Sequence, residues 1–139
     1  MRIKLSGKAS DSQDKDSMSV NQFNSQVLDS EATEILLDGF LCEYSISEIK
    51  KLIELVRNKC RIGCVVTIIE KDFGVILSDI AIGKEDLANV NDYLENCKGL
   101  KSLLTYETIS KIISPHFLIS AVNFNSEKST VTIKAKRVK

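Results

Sequence analysis

The sequence predicts an α/β domain whose sheet is mostly parallel and ends in an antiparallel hairpin. Residues 33–37 and 64–69 are short aliphatic runs, typical of central strands that are buried on both faces. A segment with helical periodicity separates them, and the order strand, helix, strand indicates a parallel pair. Residues 117–124 and 130–138 then form two strands joined by the polar residues 125–128, which predicts the closing hairpin.

The N-terminal part of the chain begins with a short strand and a polar loop. Residues 1–5 are predicted to form a short buried strand, whereas residues 6–17 contain no large apolar side chain and predict a solvated loop. We expect a short strand from Met18 to Phe23, with Val20 as its buried residue.

The clearest helix of the sequence follows the first central strand. Ser45 and Glu48 have the spacing of a capping box, in which each side chain satisfies the other's backbone N–H. An apolar stripe follows at helical spacing, and it consists of Ile49, Leu52, Ile53 and Val56. This stripe is predicted to pack on the sheet, and Gly63 is expected to terminate the helix.

Two further helices are predicted before the hairpin. Residues 84–97 have one apolar side, and residues 105–113 begin at the capping residue Thr105 and stop before Pro115. The apolar stretch 73–82 fits no single element and is expected to cross one end of the sheet. In the last strand, Val131, Ile133 and Ala135 alternate with polar residues, so one face of that strand is predicted to be buried.

The composition is that of one domain with no strong charge. The chain has 139 residues and a formal net charge of zero, with 19 basic and 19 acidic side chains. We therefore expect a single domain spanning residues 1–139, with no global field that attracts nucleic acid or an anionic membrane. No apolar run approaches the roughly 20 residues that a membrane span needs, and residues 1–5 lack a signal-peptide core. A cytoplasmic location is expected.

The cysteines and the single histidine do not suggest metal chemistry. The four cysteines are Cys42, Cys60, Cys64 and Cys97, and their irregular spacing fits reduced thiols in a reducing compartment. Cys60 and Cys64 form half of a zinc pattern without a second pair, so buried thiols are the simpler interpretation. Because His116 is the only histidine, histidine-based triads are disfavoured as well. We expect no metal site and no catalytic residue of these kinds.

Several stretches, in order along the chain, are similar to one enzyme family. They are Val27–Ile35, Phe40–Tyr44, Lys59–Gly63 and Glu70–Asp72, with a shorter match over residues 1–7. The sequence resembles the Rossmann-like S-adenosylmethionine-dependent methyltransferases over roughly residues 27–138. The resemblance implies a three-layer methyltransferase sheet, reduced in its N-terminal half. Residues 85–89 and 101–109 resemble methyltransferase-like proteins of tailed phages.

The departures from this family fall where it binds its cofactor. The family's first loop carries Gly-x-Gly, whereas Ser6-Gly7-Lys8-Ala9 keeps one glycine, which hinders close approach of the backbone to a ligand. The second strand of the family ends in an acid that binds the ribose hydroxyls. Here the corresponding region offers the neutral amides of Asn21, Gln22 and Asn24. If cofactor binding is retained, the resemblance assigns it to Gly7 and Asp38.

Three functions follow, in order of preference. The first is a methyltransferase-like protein without catalysis or cofactor. It would act as a structural or interaction module with other protein subunits, as a homo-oligomer or with phage structural proteins, in the host cytoplasm or in a virion. The second is a minimal active enzyme that uses S-adenosylmethionine, with Glu43 or Tyr44 orienting the substrate. The third is nucleic-acid binding through Lys134, Lys136, Arg137 and Lys139, which is disfavoured because no aromatic residues alternate with these cations.

Overall fold

The sheet has the predicted mixed topology. The computed structural model describes residues 1–7, 17–96 and 100–139. Six strands of this described part form one sheet in the order β2-β1-β3-β4-β6-β5. The strands are β1 (Arg2–Ser6), β2 (Ser17–Ser19), β3 (Ala32–Asp38), β4 (Cys60–Lys71), β5 (Leu118–Asn125) and β6 (Thr130–Lys136). The pairs β2–β1, β1–β3 and β3–β4 are parallel, whereas β6 is antiparallel to both β4 and β5. The predicted C-terminal hairpin is therefore confirmed.

Within the described residues, five helices and one 3₁₀ turn accompany the sheet. The helices are α1 (Val20–Gln26), α2 (Ile46–Lys59), α3 (Phe73–Ala81), α4 (Leu87–Asn96) and α5 (Tyr106–Ile113), and the turn is Leu41–Glu43. The predicted helix 84–97 corresponds to α4, while residue 97 lies outside the described residues, as do residues 8–16 of the predicted polar loop. Among the described helices, none has both the length and the apolar character needed to cross a bilayer.

Helix α2 begins and packs as its sequence predicts. The Ser45 hydroxyl accepts the Glu48 N–H at 3.3 Å, and the Glu48 carboxylate accepts the Ser45 N–H at 3.2 Å. The stripe Ile49, Leu52, Ile53 and Val56 is buried, with at most 5% of any of these residues exposed. The expected end at Gly63 is wrong. Helix α2 ends at Lys59 and β4 begins at once, so that Gly63 lies within β4 with φ of +88°.

The expected strand from Met18 to Phe23 is largely wrong. Only Ser17–Ser19 pair with β1, and α1 starts at the next residue. The reason is a second capping box, in which Ser19 and Gln22 exchange side-chain and backbone hydrogen bonds at 2.9 and 3.2 Å. Helical spacing then buries Phe23 completely and leaves Val20 only half-buried.

One buried carboxylate caps two helices. The ambiguous stretch 73–82 forms α3, whose first N–H groups, those of Gly74 and Val75, donate to Oδ1 of Asp72 at 2.8 and 3.2 Å. The other oxygen of Asp72 accepts the N–H of Tyr106, at the start of α5, at 3.1 Å. The beginnings of α3 and α5 are thus fastened to the end of β4 by a single side chain.

The two faces of the sheet differ in burial. On the inner face, apolar side chains of every second strand residue, Ile35, Leu37, Val66 and Ile68 among them, form one core cluster with residues of α1, α2 and α5. The opposite face, called the outer face below, includes Arg2, Lys4, Glu34, Leu36, Asp38, Val65, Thr67, Ile69, Thr132, Lys134 and Lys136. These residues are half-buried or exposed. The expectation that residues 33–37 and 64–69 are buried on both faces is therefore wrong, because the helices that join the core cluster, α1, α2 and α5, pack on the inner face.

Candidate functional site

The structure brings Gly7 and Asp38 to the same cleft. Strands β1 and β3 are adjacent and parallel, with Leu5 opposite Leu37, so the residues that end these strands meet at one edge of the sheet. The cleft there has a volume of about 190 Å³. It is lined by Lys4, Leu5, Ser6, Gly7, Ser17, Asp38, Gly39, Phe40 and Glu43.

A sharp turn after β3 determines what fills this edge. Gly39 has φ of +72°, a conformation that residues with a side chain rarely adopt. Its N–H donates to the carbonyl of Ile69 at 2.8 Å, which holds the turn against β4. The chain then continues through Phe40 into the 3₁₀ turn Leu41–Glu43, and this path carries Glu43 back toward Gly7.

Gly7 is in close contact with this turn. A Cβ at position 7 would lie 2.6 Å from Cβ of Phe40 and 2.5 and 2.7 Å from the two carboxylate oxygens of Glu43. Phe40 is buried and packs edge-to-face against Tyr44, with 6.1 Å between ring centroids. The free space that glycine provides is therefore used by the protein's own Phe40 and Glu43.

The remaining cleft is small for an organic cofactor. Sites for small molecules and cofactors usually measure roughly 300–1,000 Å³, whereas the cleft at Gly7 and Asp38 measures about 190 Å³. A ligand of cofactor size would have to displace Glu43 or Phe40 to reach the backbone of Gly7.

A buried carboxylate, Glu70, holds the turn beside this cleft, and its role is not evident from the sequence alone. Glu70 is only 3% exposed, and its Oε1 accepts the backbone N–H of Leu41 at 2.7 Å. Burial, together with the nearby carboxylates of Asp38 and Glu43, raises the pKa of Glu70 to about 7, although the hydrogen bond from Leu41 opposes this shift. The alternation of buried residues along β4 predicts that the side chain of Glu70 points inward, because Glu70 lies two residues after Ile68 and four after Val66, which both face the core.

The amides predicted to replace the ribose-binding acid lie elsewhere. Asn21, Gln22 and Asn24 are exposed residues of α1, and none of them lines the cleft. Strand β2 ends at Ser19, whose hydroxyl is engaged in capping α1. The end of β2 therefore presents no carboxylate.

Three other residues discussed in the sequence do not line the cleft. They are Tyr44, Cys60 and Cys64. Burial raises the pKa of the Tyr44 phenol. Cys60 and Cys64 are buried together, and their mutual hydrogen bond raises the pKa of Cys60 and lowers that of Cys64. Across residues 1–7, 17–96 and 100–139, no three His, Cys, Asp or Glu side chains are grouped to hold a metal ion.

The fold is similar to that of solved methyltransferases. A SAM-dependent methyltransferase from Methanosarcina mazei matches with a TM-score of 0.57 and 15% identity, over 88% of this chain and 67% of its own. Human N-acetylserotonin methyltransferase, solved in complex with SAM, matches with a TM-score of 0.60 and 14% identity, over 99% of this chain and 40% of its own. A possible exported protein from Bordetella parapertussis matches with a TM-score of 0.65 and 9% identity, over 89% of this chain and 45% of its own.

These similarities establish the fold. The chain has a Rossmann-like methyltransferase fold, with a mostly parallel sheet and an antiparallel C-terminal pair. It spans 40–67% of the length of the two methyltransferases described above. No protein-family model and no curated protein matches the sequence.

Proposed function

We propose that this chain is a methyltransferase-like module that does not bind S-adenosylmethionine and acts through contacts with other proteins. The observation that carries the proposal is the contact of Phe40 and Glu43 with Gly7, at the position where the resemblance would place the cofactor. A glycine in a cofactor loop leaves room for the ligand. In this chain the same room holds side chains of the turn after β3.

The turn that fills this space is held from several sides. Leu41 donates to the buried Glu70, Gly39 donates to Ile69, and the ring of Phe40 packs on Tyr44. Moving the turn away from Gly7 would leave the buried carboxyl of Glu70 without this hydrogen bond, which costs about 1–3 kcal/mol. Every 1.4 kcal/mol spent on such opening weakens binding about tenfold.

The alternative is a minimal active methyltransferase. In that case Gly7 and Asp38 would contact S-adenosylmethionine, and Glu43 or Tyr44 would orient a substrate. The observation in its favour is that human N-acetylserotonin methyltransferase has a similar fold and was solved in complex with SAM. Since fold does not determine function, the filled cleft favours the non-catalytic module.

The resemblance of residues 85–89 and 101–109 to phage proteins suggests a more specific version of this proposal. The module would then be a virion or assembly component, in contact with phage structural proteins or with further copies of itself. Its place of action would be the host cytoplasm or the virion. This version rests on the sequence resemblance alone.

Calorimetric titration tests the proposal directly. The protein is titrated with S-adenosylmethionine and with S-adenosylhomocysteine, and human N-acetylserotonin methyltransferase serves as the positive control. We expect no stoichiometric heat at micromolar ligand. Circular dichroism of the same sample establishes that the protein is folded. Micromolar binding of either compound would overturn the proposal and favour the minimal enzyme.

The variant Glu43→Ala tests whether the carboxylate of Glu43 alone prevents cofactor binding or whether Phe40 prevents it as well. It removes the carboxylate from Gly7 but leaves Phe40 in place, so we expect that this variant also fails to bind. Gain of micromolar binding by Glu43→Ala would show that one side chain alone closes a cleft that is otherwise competent, which contradicts the structural basis proposed for the module.

A further inference from the structure

We propose that β5 is the interface between two copies of this chain, which pair as antiparallel strands about a twofold axis at Asn123. The inference rests on the proposed function, because it names the surface and the partner through which the module would act. The two sheets would then form one continuous sheet, with β5 of each copy at its centre. Two observations carry the inference, namely the open edge of β5 and the match of this strand to itself.

Strand β5 is an open edge of the sheet. It stands last in the strand order and pairs on one side with β6. Within the described residues, no backbone hydrogen bond joins it to a segment other than β6. In an antiparallel pair, alternate residues direct their backbone groups away from the neighbouring strand. The outward N–H and C=O groups of β5 are therefore available to another strand.

The sequence of β5 does not protect this edge. Natural edge strands are usually short, or they carry charged residues, proline or bulges that prevent pairing with another chain. Strand β5 has eight residues, none charged and none proline, and its Leu118 and Phe124 are 60% and 56% exposed. The irregularity in its pairing with β6, between Ile119 and Ala121, leaves residues 121–125 in regular register. At the opposite edge of the described sheet, by contrast, β2 has three residues and runs directly into α1.

The register with β6 shows which way the side chains of β5 point. Val122 and Phe124 lie opposite the buried Ile133 and Val131, so both are on the inner face. Asn123 lies between them in the strand and is therefore on the outer face. The inner face of this open edge is thus apolar, and its outer face is polar and uncharged at the centre of the regular segment.

A second copy of β5 matches this pattern when Asn123 lies opposite itself. Residues directly opposite each other in an antiparallel pair point to the same face. With Asn123 on the twofold axis, Val122 of each copy lies opposite Phe124 of the other, and Ala121 lies opposite Asn125. The inner face then gains two pairs of an aromatic with a β-branched residue, a combination that stabilises sheets. A foreign strand would need the same two apolar residues at the same spacing, whereas this chain supplies them itself.

The pairing does not depend on charge. Strand β5 is uncharged, and the cations beside it on the outer face, Lys134 and Lys136, belong to β6. In the paired sheet, three steps between strands separate the β6 strands of the two copies, which is about 14 Å. Interactions between exposed charges are screened over about 8 Å at physiological ionic strength. Backbone hydrogen bonds and apolar contacts would therefore hold the two copies together.

The association would stop at two copies. Twofold pairing uses the same strand on both sides, so it is closed in the way of most homodimers. The edges that remain, β2 of each copy, are short and run into α1. Because the regular contact is confined to residues 121–125, the interface is small, and small interfaces are typical of weak, reversible complexes. We therefore expect a dimer that dissociates on dilution.

Sedimentation equilibrium from micromolar to submillimolar protein measures this dimer, and circular dichroism establishes that each variant is folded. Asn123→Lys changes an exposed residue and places two lysines opposite each other on the twofold axis. Asn91→Lys makes the same change of charge on an exposed residue of α4 and is the control. Hydrogen exchange of β5 peptides, measured by mass spectrometry at low and high protein concentration, reports protection of the outward N–H groups.

Cysteine cross-linking tests the register. Residues directly opposite each other have Cβ atoms about 4.5–5.5 Å apart, so Asn123→Cys should form a disulfide between the copies under mild oxidation. Asn125→Cys is the matched control. Because Asn125 lies opposite Ala121, its two copies are offset by about 13 Å along the paired strands, too far for a disulfide. Peptide mapping identifies the linked residue, since the chain has four cysteines of its own.

We expect the unchanged protein and Asn91→Lys to dimerise equally, and Asn123→Lys to weaken the dimer about tenfold or more. Peptides of β5 should be protected at high concentration, and Asn123→Cys should link where Asn125→Cys does not. A monomer at every concentration, a dimer that Asn123→Lys leaves intact, equal linking at both positions or growth beyond a dimer would overturn the proposal. Because cofactor titration is a separate measurement, loss of this proposal leaves the non-catalytic module standing.

Discussion

Glu70 and Leu41 are joined by a 2.7 Å hydrogen bond in which a buried carboxylate accepts a backbone N–H. The bond holds the 3₁₀ turn Leu41–Glu43 against the end of β4. The pKa of Glu70 is nevertheless raised to about 7, because burial and two nearby carboxylates outweigh the bond. The same residue therefore fastens the turn and makes the stability of the protein depend on pH.

The first prediction concerns this pH dependence. The ordinary pKa of a glutamate is 4.5, and the folded value is about 7. Between these two pH values, the folded state thus holds a proton that the unfolded state releases. The contribution of Glu70 to the free energy of unfolding is therefore fully present below about pH 4.5, and it is lost as the pH rises to about 7. The loss is of the order of 3 kcal/mol. Urea unfolding at a series of pH values measures it.

The variant Glu70→Gln isolates this contribution, because the amide oxygen still accepts the N–H of Leu41 and does not titrate. We expect its free energy of unfolding to change less between pH 4.5 and pH 7 than that of the unchanged protein. Glu54→Gln, at an exposed position of α2, should keep the original profile. Parallel profiles for Glu70→Gln and the unchanged protein would refute the assignment.

The second prediction concerns the close packing at Gly7. The variant Gly7→Ala places a methyl group 2.6 Å from Cβ of the buried Phe40. We expect a loss of about 1–3 kcal/mol, because Cβ of Phe40 is fixed to the backbone and cannot swing aside. Chemical denaturation gives the value, and Ser25→Ala on the exposed side of α1 should change stability by less than about 0.5 kcal/mol. A neutral Gly7→Ala would mean that the turn lies farther from β1.

The third prediction concerns the face of α2 that packs on the sheet. Leu52→Ala and Ile53→Ala remove buried side chains from the core cluster and should each cost about 2–5 kcal/mol. Lys51→Ala lies on the exposed side and should cost far less. Equal denaturation midpoints for the buried and exposed variants would contradict the observed face.

The fourth prediction concerns the shared cap at Asp72. Asp72→Ala removes acceptors for the starts of both α3 and α5, whereas Thr105→Ala affects the start of α5 alone, where its hydroxyl contacts the N–H and the hydroxyl of Thr108. A single cap is worth about 0.5–2 kcal/mol. The loss in thermal unfolding free energy should therefore be clearly larger for Asp72→Ala. Comparable losses would show that Asp72 supports only one of the two helices.

The sequence predicted the elements whose signals are local. The capping box of Ser45 and Glu48, the stripe that begins at Ile49 and the alternation of β6 each lie within one segment, and all three are observed. The expected strand from Met18 to Phe23 is wrong because the capping box of Ser19 and Gln22, which is also a local signal, starts a helix there. The resemblance directed attention to Gly7 and Asp38, which the structure places at one cleft.

The features that the sequence does not predict depend on contacts between distant segments. Nothing near Gly7 in the sequence indicates that Glu43 lies against it, because the turn at Gly39 brings the two together. The burial of Glu70 is visible only when its register with Val66 and Ile68 is followed to the end of β4. The exposure of Leu36 and Val65 depends on what covers the sheet, which the pattern of one strand does not contain.

The order of the strands in the sheet has a consequence for how the protein folds. Strand β6 lies between β4 and β5, and among the strands that the structure describes β5 pairs with β6 alone. Although β5 is synthesised before β6, it gains its hydrogen-bonded neighbour only when β6 has been made. Strand β4 likewise has one unpaired side until β6 pairs with it. The strands therefore do not join the sheet in the order in which they are synthesised. The pairing of β4 with β6 joins residues as distant as Val65 and Lys136, which are separated by about half the chain. Distant pairings of this kind slow folding, and the centre of this sheet is complete only after β6 has been synthesised.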